Sequence, residues 1–284
     1  MRVVELSNHP GDMLDHAARR RQGAERHLLS VYEDELVRYR ARVQVAKVEK
    51  DRARAGHRWW AWLRLSVTAW RVKRTIPRPP VPAAGHAPYG LSDLEEKIMA
   101  GIAGENLVAA ELGRLLGDSW TLFRGYHNRR GEIDHLLLGP RGLFAIEVKN
   151  LNATVHIDGD RWRADKYDRY GNLVEQRVIA DRLGRSPSVQ LNEPADELAR
   201  FLARQGQRAV VQRAVILAHT RSRLGTVRDP TVLAGTSAGY VLDLVEASAS
   251  RLDRDQRAAI ADLIQRDHSF HDRRHTRPRR TPSR

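Results

Sequence analysis

Cysteine is absent from the 284 residues of this chain, which excludes disulfide bonds, thiolate metal sites, zinc fingers and cysteine nucleophiles. Any metal ion would have to bind oxygen or histidine. Long apolar runs are also absent, so we expect no membrane-spanning helix. The N-terminal residues lack the basic-then-apolar order of a signal peptide, which favours a cytoplasmic protein. No Ser-His-Asp order, P-loop or Rossmann glycine fingerprint occurs, so acyl transfer and nucleotide-cofactor chemistry have no support.

Positive charge is abundant but unevenly distributed. The formal net charge is +14, which suggests an anionic partner. Residues 1–76 hold 17 Lys/Arg against 9 Asp/Glu, and residues 269–284 hold 6 against 1, whereas residues 77–268 hold 26 against 25. We therefore expect the basic flanks to act as electrostatic anchors for nucleic acid.

The N-terminal region, residues 1–76, is predicted to be helical. From Asp15 to Arg54 it contains no proline and a single glycine, which indicates one long helix or a pair. A coiled-coil seam is one interpretation of its apolar spacing, and these helices are then an oligomer contact. Four tryptophans follow within twelve positions. They favour packing against a helix or partner chain, contact with a membrane surface, or stacking on nucleic acid: Trp59, Trp60, Trp62 and Trp70.

The rest of the chain divides by composition into four segments. Residues 77–90 contain five prolines and are predicted to form an extended linker. Residues 91–245 carry the pattern of a folded domain: a helix, three β-runs, a further β-run, a helix over 187–204 and another β-run. This order predicts an α/β or α+β domain with a mixed sheet. Residues 246–268 are predicted to contain a helix, and residues 269–284 to be a basic, disordered tail.

Two of the β-runs surround the turn Gly-Pro-Arg-Gly and form a predicted hairpin. Pro140 disfavours a type I′ turn and fits a four-residue loop, in which paired residue numbers sum to 281. Asp134 then lies opposite Glu147, and Lys149 shares their face because side chains alternate. The other face is the one that we expect to be buried, and it carries Ile133, His135, Leu137, Phe144, Ile146 and Val148.

Charges at these positions need an explanation, because two opposed carboxylates repel each other. A divalent cation relieves that repulsion, and oxygen ligands suit Mg²⁺ or Mn²⁺. Two carboxylates, a metal ion and a lysine are the components of metal-assisted phosphodiester hydrolysis. The alternative interpretation is a solvent-facing hairpin with incidental charges.

The motif Gly-Ile-Ala-Gly-Glu at 101–105, followed by Gly-Glu-Ile-Asp-His at 131–135 and Glu-Val-Lys at 147–149, resembles the nuclease-related domain (NERD) family. This family is a branch of the PD-(D/E)xK nucleases. The resemblance covers roughly residues 96–219 and implies a restriction-endonuclease-like α-β-β-β-α-β core. It implies metal binding by Glu105, Asp134 and Glu147 with the Val148 carbonyl, and catalysis involving Asp134, Glu147, Lys149 and Gln190.

Some neighbouring residues are weaker candidates. Gln190 resembles the glutamine that opens the second core helix in the family, and Pro194 is expected to interrupt this helix early. Arg129 and Arg130 are candidates for phosphate contact, with solvated arginines as the alternative. His127 and His135 are either metal ligands or makers of structural hydrogen bonds.

Two functions remain open at this point. The first is a Mg²⁺-dependent or Mn²⁺-dependent nuclease acting on DNA. The second is a non-catalytic protein that keeps the nuclease fold and docks to nucleic acid, a membrane surface or a partner through its N-terminal helices.

Overall fold

A computed structural model describes residues 1–7, 9–77 and 93–275. The chain divides into two compact units, one formed by Met1–Asp12 with the chain from Lys97 onward, the other by Met13–Glu96. Except for Pro77, the predicted linker at 77–90 lies outside the described residues, as does the tail from residue 276. In chain order the elements are β1 (Arg2–Glu5), α1 (His9–Ala55), α2 (Trp59–Arg74), α3 (Asp93–Leu115), β2 (Thr121–Asn128), β3 (Gly131–Gly139), β4 (Gly142–Lys149), β5 (Thr154–Asp158), β6 (Arg161–Tyr167), β7 (Leu173–Val178), α4 (Pro187–Arg204), β8 (Val211–Leu217), β9 (Arg223–Arg228), β10 (Leu233–Gly235), α5 (Gly239–Ala247) and α6 (Arg254–His275).

The main sheet has six strands in the order β1-β2-β3-β4-β8-β10. The β2–β3 and β3–β4 pairs are antiparallel, whereas β1–β2, β4–β8 and β8–β10 are parallel. The succession α3, β2, β3, β4, α4, β8 is the expected α-β-β-β-α-β core, so the predicted α+β class with a mixed sheet is confirmed. A second sheet, β7-β6-β5-β9, is built largely from the segment between β4 and α4.

Both faces of the main sheet are buried. Apolar residues of α3 and α5 pack on one face together with Leu137, Phe144 and Ile146. Residues of α4, α6 and the second sheet pack on the other face, over Leu136 and Ala145. The expected burial of the Leu137 face is confirmed, but the charged face is also covered, which rules out a hairpin whose charged face is open to solvent.

The hairpin of β3 and β4 has the predicted register. Leu138 pairs with Leu143, and the ladder continues to His135 and Ile146, so paired numbers sum to 281. The loop is shorter than expected, since Gly139 also pairs with Gly142 and leaves only Pro140 and Arg141 as loop residues. Shortening the loop by one residue on each side keeps the sum of paired residue numbers at 281. The predicted register is therefore correct although the predicted loop length is wrong.

An irregularity in β2 lies beside Asp134. Gly125 has φ +67°. On either side of it Arg124 pairs with His135 and Tyr126 pairs with Ile133, whereas Gly125 and Asp134 are not paired. A Cβ atom at Gly125 would lie 2.5 Å from the Ser7 carbonyl oxygen, so both its conformation and its surroundings require glycine. The prediction for Ile133, a neighbour of Asp134, is wrong. Ile133 was expected on the face of Leu137, but it packs with residues of α4 and α6 on the opposite face.

Helix α4 begins and ends at the predicted residues, Pro187 and Arg204. Ser186 caps its start by accepting a hydrogen bond from the Val189 N–H. The expected interruption at Pro194 does not occur, because the helix continues through it. Proline removes one helical hydrogen bond, to the carbonyl four residues earlier, and here that residue is Gln190.

The remaining helices differ in length from their predictions. One long helix was one of the two alternatives predicted from Asp15 to Arg54, and it is confirmed, with longer bounds, by α1 at His9–Ala55. Helix α6 continues to His275, so residues 269–275, expected in the tail, are helical. In the described part of the chain, no helix is both long and apolar enough to cross a membrane.

Candidate active site

Lys149 lies at the centre of the candidate site. Its Nζ atom is 2.5 Å from Glu147 Oε1 and donates a hydrogen bond of 3.1 Å to Gln190 Oε1. The Gln190 side chain is held in turn, because its Nε2 donates to the Arg185 carbonyl at 2.7 Å. Glu147 and Lys149 point to the same side of β4 because they are two residues apart, and α4 places Gln190 over that side.

Asp134 joins this group through the backbone of β4. Its Oδ2 accepts a hydrogen bond of 2.7 Å from the Val148 N–H. The N–H and C=O of one strand residue point to the same side, so the Val148 carbonyl faces the side on which Asp134 lies.

Glu105 is brought to the site by close packing of α3. A Cβ atom at Gly104 would lie 3.2 Å from Cβ atoms of Ala218 and Asn150, so glycine allows the helix to approach the strand ends. A Cβ atom at Gly101 would meet nothing within 4 Å, and of the two motif glycines only Gly104 has this packing role. The Glu105 carbonyl also lies 3.1 Å from His135 Nε2.

The electrostatics of the site reflect a surplus of carboxylates. Burial and then the charge of Glu147 raise the pKa of Asp134 well above its ordinary value. Burial also raises the pKa of Glu105, against the lowering effect of Arg124, whose Nη2 lies 3.9 Å from Glu105 Oε2. Burial lowers the pKa of Lys149, but Glu147 and Asp134 outweigh this effect and raise it. Lys149 therefore remains a cation and is unsuited to act as a general base.

The donor set fits a hard divalent cation by its chemistry. Glu105, Asp134 and Glu147 are oxygen donors that repel one another, and two cations compensate in part, Lys149 beside Glu147 and Arg124 beside Glu105. Across residues 1–7, 9–77 and 93–275, no group of three or more His, Asp or Glu side chains is arranged to hold a metal ion by itself. A metal ion here would thus also need the Val148 carbonyl or water as ligands, which is usual for Mg²⁺.

Sequence reasoning missed one carboxylate, Glu132. Burial, followed by the charges of Glu147 and Glu105, raises the pKa of Glu132 to about 7. The signal was present, since Glu132 precedes Asp134 by two residues on the same strand and alternation predicts a shared face.

This shift gives a pH-dependent prediction. A carboxyl whose folded pKa exceeds its ordinary 4.5 destabilises the folded state once it ionises, so stability is lost as the pH rises from 4.5 to about 7. We expect Glu132→Gln to be more stable than wild type at pH 8, by on the order of 1–3 kcal/mol, and equal to it at pH 4. Urea unfolding in EDTA at both pH values measures this difference. Equal stabilities at pH 8 would contradict the shift.

The other candidate residues lie outside this group. Arg129 Nη2 is 2.8 Å from Oε2 of Glu197, a buried carboxylate that also pairs with Arg200 and Arg204. The Arg130 N–H donates to the side chain of Asn128, and the Arg130 residue is exposed. Phosphate contact by either arginine stays a prediction.

The two histidines differ in the contacts that they make. Burial lowers the pKa of His135 to about 4, so its ring is neutral, and its Nε2 lies at the Glu105 carbonyl. The His127 backbone N–H donates to Nδ1 of His268. This geometry favours the structural hydrogen bond as the role of His135.

Comparison with known proteins gives one match. Residues 100–218 match the family model of the nuclease-related domain, and this range contains all the residues that meet around Lys149. No curated protein and no solved structure matches the chain. The α-β-β-β-α-β core is consistent with the PD-(D/E)xK nuclease superfamily. The nuclease-related domain is therefore the family that residues 100–218 of this chain resemble.

Proposed function

We propose that this protein is a divalent-metal-dependent nuclease that hydrolyses phosphodiester bonds of DNA. The observation that carries the proposal is the meeting of Glu147, Lys149 and Gln190, with Asp134 bound to the intervening Val148 N–H. These side chains come from β3, β4 and α4. A purely structural ion pair would need only Glu147 and Lys149, so the additional half-buried carboxylates favour a catalytic role.

Each residue has a role that follows from its surroundings. Asp134, Glu147 and the Val148 carbonyl would hold Mg²⁺ or Mn²⁺, with Glu105 contributing charge from α3. The bound ion would supply polarisation of the phosphate and a lowered pKa for the attacking water. Lys149 stays protonated, and it orients that water or neutralises charge that develops on the phosphate. Gln190 fixes the Lys149 ammonium through its Oε1.

Binding of the substrate requires positive charge that the active-site carboxylates do not supply. Residues 1–76 carry a net charge of +8 and residues 269–284 a net charge of +5, whereas the middle of the chain is almost neutral. In this proposal the flanks neutralise DNA phosphates, and the nuclease-related domain carries out the hydrolysis.

A cleavage assay tests the proposal. Supercoiled plasmid and labelled single strands are incubated with wild-type protein in Mg²⁺, Mn²⁺ or EDTA, beside Glu147→Gln and a matched control, Glu175→Gln. Glu175 is an exposed carboxylate on β7. We expect cutting in Mg²⁺ or Mn²⁺, none in EDTA, none by Glu147→Gln, and wild-type rates for the control.

Two results would count against this function. Cutting that survives EDTA, or that Glu147→Gln retains, would exclude this site as the source of the activity. A wild-type protein that binds DNA in every condition but never cuts it would favour the non-catalytic alternative.

A further inference from the structure

Helix α2 exposes an unusual apolar surface. Five large side chains on it are between 51% and 87% exposed: Trp59, Trp60, Leu63, Val67 and Trp70. At 3.6 residues per turn they fall within an arc of about 100° on one side of the helix, and we call them the tryptophan stripe. Contiguous exposed apolar surface of this kind marks an interaction site.

The fourth tryptophan of the sequence cluster does not belong to the stripe. Trp62 is half-buried, and Lys50 of α1 lies 5.6 Å from the centre of its ring. Ala61, Leu65, Ala69 and Val72 are also half-buried. Helix α2 thus has one apolar side that is half-buried, with Lys50 of α1 beside Trp62, and a second apolar side that is exposed.

The charge around the stripe is of one sign. From Arg52 to Ser92 the sequence contains eight Lys/Arg and no Asp or Glu. Arg64 and Arg71 are exposed and border the stripe, and the Arg74 guanidinium lies 4.2 Å from the centre of the Trp70 ring. The partner must therefore offer apolar surface and negative charge together.

We propose that the tryptophan stripe binds the surface of a lipid bilayer that contains anionic headgroups. Tryptophan favours the boundary between headgroups and acyl chains, where its ring is buried and its N–H remains hydrated. The helix has 16 residues and spans about 24 Å, too short to cross the bilayer, so it lies in the plane of the surface. Leu63 and Val67 enter the acyl region while the arginines contact lipid phosphates.

Two other partners fit the stripe less well. Nucleic acid offers phosphates and stacking faces, but it gains little from aliphatic side chains between the tryptophans. A second copy of this chain would bring the basic margins of two stripes together, with no acidic residue of α2 to pair with them. An anionic bilayer offers acyl chains that bury the tryptophan stripe and phosphates that pair with Arg64 and Arg71.

Vesicle flotation of the full-length protein tests the proposal. Vesicles of phosphatidylcholine alone are compared with vesicles containing about one third phosphatidylglycerol. The stripe variant is Trp60→Ser/Trp70→Ser, and its matched control is Val37→Ser/Val45→Ser, at residues of α1 that are 62% and 57% exposed. The charge variant is Arg64→Gln/Arg71→Gln, with Arg38→Gln/Arg42→Gln as control.

We expect wild type to float with the anionic vesicles and its tryptophan fluorescence to shift to shorter wavelength. The stripe variant should bind at least about tenfold more weakly, and the charge variant about fivefold more weakly for each charge removed. Both controls should bind as wild type, and added salt should weaken binding by wild type more than by the charge variant.

The same preparations identify the alternatives. No flotation of wild type, or equal flotation of wild type and stripe variant, would overturn the proposal. A wild-type dimer that fails to float and becomes a monomer in the stripe variant would assign the stripe to a second copy. Loss of DNA binding in the stripe variant, without flotation of wild type, would assign it to nucleic acid. None of these readouts depends on cleavage, so the proposed nuclease function stands or falls separately.

Discussion

Asp134→Asn is expected to lower metal-dependent cleavage by about 10³-fold while the folded protein becomes no less stable. Asparagine retains an oxygen that accepts the Val148 N–H, so the local geometry is kept. The substitution removes a carboxylate whose pKa is raised. Such a carboxylate destabilises the folded state as the pH rises above 3.8, the ordinary pKa of an aspartate. At pH 8 without metal, the variant should therefore unfold at or above the wild-type temperature.

Metal binding provides a readout that does not need cleavage. Adding Mg²⁺ should raise the unfolding temperature of wild type, because the ion binds only the folded state. Mg²⁺ should raise the unfolding temperature of Asp134→Asn much less. A variant that cuts at the wild-type rate would remove Asp134 from the site, and an equal Mg²⁺ effect on both proteins would remove it from the metal ligands.

Lys149→Met is expected to have a similar effect on cleavage and the opposite effect on stability. Cleavage should fall by about 10²-fold to 10³-fold, since methionine keeps the length of the side chain but loses its charge. The substitution leaves Glu147, which is 6% exposed, without its cation. Removing one partner of a buried ion pair typically costs about 3 kcal/mol, and we expect this loss at pH 8 in EDTA.

A double variant separates the two effects. Lys149→Met/Glu147→Gln should recover most of the stability, because the buried charge is gone, but none of the cleavage. The measurements are thermal or urea unfolding and the plasmid assay. Equal stability of wild type and Lys149→Met would show that solvent screens Glu147 and that the site is less enclosed than its geometry indicates.

Much of the core could be predicted from local patterns. The pairing of Leu138 with Leu143 was predicted correctly because the turn is centred between Pro140 and Arg141, although the four-residue loop inferred from Pro140 is wrong. The bounds of α4, Pro187 and Arg204, were also predicted correctly. Asp134, Glu147 and Lys149 were identified because charged residues interrupt otherwise apolar strands. Each of these signals lies within about a dozen residues, where strand alternation and capping act directly.

The errors arise where tertiary context decides. The face of Ile133 was predicted wrongly close to Gly125, which has a left-handed conformation and whose carbonyl accepts a hydrogen bond from Ser7, more than a hundred positions away. Helix α4 continues through Pro194, whose carbonyl accepts a hydrogen bond from Asn128 Nδ2. The burial of the charged face depends on α4 and α6, and the pattern of the hairpin alone contains no information about them.

Part of the second sheet separates the two halves of the candidate active site along the chain. Gln190 follows Lys149 by 41 positions, and β5, β6 and β7 lie between them. The hydrogen bond between these side chains therefore forms only after this long segment has folded back, which makes it a contact of high sequence separation. During synthesis the acidic hairpin emerges well before Gln190, so a nascent chain carries the charged strands for some time without the Gln190 side chain that contacts Lys149.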